Sequence, residues 1–126
     1  MLSHLSFGVA DLEVARKFYG AALGPLGMVE VWETADGAGF GAPGGDDVFA
    51  IKQRDSASPP GPGFHLAFDA GTREAVNRWH ELGIGAGGTD EGAPGLRPHY
   101  HPNYYGAYVR DPDGNKLQAV CHSAKG

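Results

Sequence analysis

The sequence predicts an α+β fold built from two tandem copies of one unit, each a strand, a helix and three further strands. Three observations carry this prediction. Residues 4–24 (HLSFGVADLEVARKFYGAALG) recur as residues 65–85 (HLAFDAGTREAVNRWHELGIG), so that His4, Leu5, Phe7, Phe18 and Gly24 match His65, Leu66, Phe68, Trp79 and Gly85 at a constant offset of 61. A self-match at about half the chain length marks one supersecondary unit used twice. Each copy opens with period-two alternation and continues with apolar residues at helical spacing. The copies also end alike, Pro43-Gly44-Gly45 and Pro112-Asp113-Gly114 each preceding an apolar run at an offset of 69.

Taken in order, residues 3–9 read as a strand with Leu5, Phe7 and Val9 on one face and His4, Ser6 and Gly8 on the other. Asp11 is the expected N-cap of a helix carrying Leu12, Ala15, Phe18, Tyr19 and Ala22 on one stripe, ended by Gly24-Pro25. Strands follow at 28–33, 38–41 and 47–53. Residues 55–63 (DSASPPGPG) lack periodicity and read as the linker between modules spanning about 1–54 and 64–126 of a single domain, 1–126. The second copy has a strand at 64–70, a helix capped by Thr72 with Ala75, Val76, Trp79 and Leu82 on its stripe, and a close at Gly83 or Gly85. Residues 86–98 read as a Gly- and Pro-rich loop with at most one short strand. Strands at 104–110 and 115–122 flank Asp111-Pro112-Asp113-Gly114, a type I turn by composition.

Composition narrows the function. With 41% hydrophobic and 20% charged residues the chain suits a globular domain. A net charge of −5 without a Lys/Arg cluster argues against nucleic acid. No apolar run approaches the ~20 residues of a membrane span, and no basic-then-apolar leader opens the chain, so a cytoplasmic location is the expectation. The single cysteine, Cys121, excludes an internal disulfide and reads as a small buried residue.

HLSFGVADLEVARKFY at the start and YYGAYVRDPDGNKLQAV at the end resemble the vicinal oxygen chelate superfamily, which includes glyoxalase I, extradiol dioxygenases, fosfomycin-inactivating proteins and bleomycin-resistance proteins. The resemblance implies two βαβββ modules whose mixed sheets form an open cup, with ligands to a divalent ion (Fe, Mn, Ni or Zn) drawn from the first and last strand of each module. Carried over, these positions are His4, His65, Phe49 and Gln118. Glyoxalase I typically places a carboxylate or another polar ligand at the last two, and extradiol dioxygenases use two His and one Glu. A neutral Gln amide offsets no metal charge, so the implied His4, His65, Gln118 site is a weak one.

The segment 99–108 (HYHPNYYGAY) supplies further candidates. By resemblance to extradiol dioxygenases, His101 (or His99) is an acid/base and Tyr108 a donor to a substrate oxygen. His122 reads as a solvated histidine. The resemblance implies a homodimer and a small-molecule substrate. Two functions follow: a metal-dependent enzyme of the glyoxalase/dioxygenase type that chelates vicinal oxygens, or a metal-free small-molecule binder of the bleomycin-resistance kind.

Overall fold

The computed structural model describes residues 1–124. The order is β1 (Leu5–Val9), α1 (Leu12–Leu23), β2 (Val29–Glu33), β3 (Gly37–Gly41), β4 (Phe49–Gln53), β5 (Leu66–Asp69), α2 (Arg73–Gly85), β6 (Thr89–Leu96), β7 (Tyr105–Arg110) and β8 (Lys116–Cys121), with a 3-10 turn at Gly24–Leu26 after α1. The strands form two four-stranded mixed sheets, ordered β1-β4-β3-β2 and β5-β8-β7-β6. In each, the first strand of a module runs parallel to the last and the remaining pairs are antiparallel. The predicted α+β class and doubled module are therefore what the chain adopts. No helix is long and apolar enough to cross a membrane among the described residues.

Both predicted caps are made. Asp11 Oδ1 accepts from Val14 N at 3.1 Å, and Thr72 Oγ1 from Ala75 N at 3.0 Å. Leu12, Ala15, Phe18, Tyr19 and Ala22 are buried on α1, and Val76 and Trp79 on α2. The helices touch each other, and of the two closing glycines expected for α2 it is Gly85 that ends it, with Gly83 inside the helix and facing Phe18.

A buried carboxylate joins the modules. Asp111, 3% exposed, accepts from Tyr19 Oη (2.5 Å), Asn115 Nδ2 (2.9 Å) and the amides of Asp113 (2.9 Å) and Asn115 (2.8 Å). The turn recognised in the sequence is thus an anchor for α1. Burial first, and Asp111 second, push the Tyr19 hydroxyl well above its ordinary titration range. The unfolded tyrosine ionises near about 10. Above that pH the native state keeps a proton that the unfolded state releases, so stability falls as pH rises. Tyr19→Phe should flatten this decline between pH 9 and 11, read from urea midpoints; an unchanged slope would place its origin elsewhere.

Two expectations are corrected. Residues 89–96 form an eight-residue strand, longer than the one short strand expected within a loop, because β6 is an edge strand whose partner is β7 alone, where Pro94 and two register shifts are tolerated. Phe49 is not the counterpart of Gln118. Leu5 pairs with Phe49 and the equivalent Leu66 pairs with Leu117, so Gln118 corresponds to Ala50. The positive-φ glycine is Gly44 in the first turn, five residues before Phe49, and Gly114 in the second, three before Leu117. The longer first turn displaced the alignment, and Phe49 points to the helix side instead. Its ring lies 4.8 Å from Tyr19, 5.2 Å from Phe7 and 5.5 Å from Phe68.

Candidate functional site

Strand parity sends alternate residues to the face of each sheet away from the helices. On the second sheet that face is built in rows across neighbouring strands. Arg110 pairs with Lys116, and His65, one position before Leu66, continues the row; Tyr108 pairs with Gln118, and Gln118 with Ala67. Three predicted residues, His65, Tyr108 and Gln118, therefore share one face. The His65 and Tyr108 rings are 6.1 Å apart at 69°.

The 97–104 segment folds over this face. Tyr104 Oη accepts from Gln118 Nε2 at 2.7 Å, which leaves Gln118 completely buried with its Oε1 unpartnered. A buried acceptor without a donor is costly, so this oxygen calls for an explanation. Tyr100 packs on Tyr104 at 4.7 Å, and Arg97 and Lys116 lie over the Tyr108 ring at 5.9 and 5.2 Å. Burial, then the Tyr100 hydroxyl, push the Tyr108 hydroxyl up to about 12, so it is a neutral donor at physiological pH.

His101 is fully engaged. Its Nδ1 accepts from Asn103 N at 3.1 Å, which leaves Nε2 to donate to His122 Nδ1 at 2.8 Å. Both rings meet Tyr104 edge-on, at 5.4 and 5.3 Å. The pair thus props Tyr104 over Gln118, and His122, read from sequence as merely solvated, belongs to that support. Sequence reasoning missed Tyr104, although its place in the ring-rich HYHPNYY run was a signal. His99 stacks on Tyr100 at 4.2 Å and is exposed.

His4 lines a cavity of about 330 Å³ with Leu26, Val48, Phe49 and residues Leu66–Asp69 of β5, and its Nδ1 contacts Ser3 Oγ at 2.9 Å. His65 lines a different cavity. Among the described residues no three His, Cys, Asp or Glu side chains lie close enough to hold an ion. The Gln118 amide adds a neutral oxygen that is itself sealed from solvent. The residues of a single chain therefore do not fit a divalent ion.

The sequence matches the family model described as Glyoxalase/Bleomycin resistance protein/Dioxygenase superfamily over residues 1–119. A search of curated proteins found no match. Among solved structures, the chain is similar to a glyoxalase/bleomycin resistance protein from Albidiferax ferrireducens T118, at 39% identity and TM-score 0.82, covering 96% of this chain and 98% of that one. A glyoxalase-related enzyme from Fulvimarina pelagi shares the fold at 22% identity and TM-score 0.76, covering 96% and 87%. A glyoxalase/bleomycin resistance protein/dioxygenase family enzyme from Burkholderia phytofirmans PsJN does so at 22% identity and TM-score 0.74, covering 96% and 98%.

Proposed function

The chain belongs to the glyoxalase/bleomycin resistance protein/dioxygenase superfamily, and from that premise we propose that it binds a small, flat molecule with adjacent oxygens between the outer face of its second sheet and the 97–104 segment. One observation carries the reading: the buried, unpartnered Oε1 of Gln118 behind a wall of Tyr100, Tyr104 and Tyr108. Tyrosine faces suit a planar ligand. Gln118 Oε1 accepts a ligand hydroxyl once Tyr104 yields, and protonated Tyr108 donates to a ligand oxygen. Where a proton must move, His99 is the imidazole for it, since His101 has both nitrogens committed to Asn103 and His122.

Catechol is the probe. It should bind saturably by calorimetry, and Gln118→Ala should weaken it about tenfold, the loss of one buried hydrogen bond. Absent binding at millimolar catechol, or equal affinity in Gln118→Ala, rejects the reading.

The second reading is the metal-dependent enzyme, favoured by one feature: His4 is exposed on its sheet edge, where a second copy of the chain would set it beside His65 and Gln118 of the first. A bound divalent ion would supply Lewis acidity toward vicinal oxygens. After chelator dialysis, Mn(II), Fe(II), Ni(II) and Zn(II) are expected to leave Tm unchanged in the wild type. A rise that disappears in both His4→Ala and His65→Ala would put the metal enzyme in first place.

A further inference from the structure

The row ahead of Tyr108 and Gln118 has a composition that the fold does not require. Arg110, Lys116 and His65 stand abreast on β7, β8 and the approach to β5, on one face. Adjacent strands are only about 4.8 Å apart, and like charges directly opposite one another are unfavourable. The first module shows what the same row looks like without such a cost. By strand register its equivalents are Gly41, Val48 and His4, with Val48 half exposed. The histidine recurs in both rows, whereas Arg110 and Lys116 are added only in the second, in a chain whose net charge is −5.

The basic row opens into a cavity of about 460 Å³ walled by residues 60–63 of the Pro/Gly-rich linker and by Phe64. Arg110 is partly neutralised, its Nε donating to Glu91 at 2.7 Å and its Nη1 to the Gly114 carbonyl at 2.8 Å. Lys116 and His65 have no carboxylate within ion-pair distance among the described residues; the Lys116 ammonium rests on the Tyr108 ring instead. The neighbouring Asp113 is turned to Ala10, whose amide donates to its Oδ1 at 2.8 Å. Lys116 and His65 therefore line the cavity without a carboxylate partner among the described residues, beside the Tyr108 face.

We propose that this cavity is an anion subsite, in which Lys116, His65 and Arg110 hold a carboxylate or phosphate group of the ligand. The ligand's remainder lying against Tyr108 rests on the function proposed above; the subsite itself does not. Together they define the ligand class as a small acid with a planar, oxygen-bearing body.

Inorganic phosphate and lactate, titrated separately at ionic strength held constant with NaCl, test the subsite by thermal shift and calorimetry. At least one anion should stabilise the full chain saturably, and the one that does tells phosphate from carboxylate. Lys116→Gln should raise its midpoint about five- to tenfold, the usual scale for a charge-assisted contact, while Lys52→Gln, exposed on the first module, should leave it unchanged. Raising NaCl to 0.5 M should weaken binding in the wild type. No saturable binding of either anion, or equal midpoints in wild type and Lys116→Gln, overturns the proposal. Catechol reads the Tyr108–Gln118 face and the anions read the basic row, so failure of one reading is visible apart from failure of the other.

Discussion

Asp111→Ala is expected to cost about 3–5 kcal/mol of stability, because four donors lose their buried acceptor at once. Tyr19 Oη and Asn115 Nδ2 would remain in places water does not reach, Tyr19 and Asn115 being at most 1% exposed. For a chain of 126 residues this corresponds to a drop in Tm of about 10 °C or more. Tyr19→Phe removes one of the four donors and leaves the others paired, so about 1.5–3 kcal/mol is expected there. Urea unfolding of both variants, with the m-value checked against wild type, measures the difference. If Asp111→Ala stays within 1 kcal/mol of wild type, the turn is not the anchor between the modules.

Phe49→Ala should cost a similar amount, about 3–5 kcal/mol, by leaving a phenyl-sized cavity. Phe49 is 1% exposed and touches rings from both modules: Phe7, Tyr19 and Phe40 of the first, Phe68 of the second. Such ring pairs add to the burial term. The variant that remains folded should bind catechol and the probe anion with wild-type midpoints, since Phe49 faces away from the second sheet's outer surface. A changed catechol affinity with unchanged stability would mean that Phe49 acts as a site residue and not as core.

The fold was legible in the sequence because its signals are local and doubled. Capping at Asp11 and Thr72, the apolar stripes of both helices and the Asp-Pro-Asp-Gly turn each follow from residues within a few positions of one another. Thr89–Leu96 escaped because an edge strand of Gly, Pro and Asp has no propensity or alternation to show; it is a strand because β7 offers it hydrogen bonds. Phe49 was misplaced because its register is set by pairing with β1 and not by the spacing of glycines in the preceding turn.

At the site, alternation along β7 and β8 sufficed to put Tyr108 and Gln118 on their faces. That they sit side by side, with His65 next to them, depended on the pairing of three strands drawn from residues 65–121. The commitment of His101 to His122 and the cover that Tyr104 lays over Gln118 are likewise contacts between residues distant in sequence.

The sequence by itself determined the module, its repetition and which faces of its strands are apolar, since these follow from periodicity and local backbone chemistry. Only the tertiary structure decided which polar groups meet. Burial of Gln118 without a partner for its oxygen and a row of basic residues beside it arise from the packing of separate strands and a loop, and no spacing within one segment encodes them.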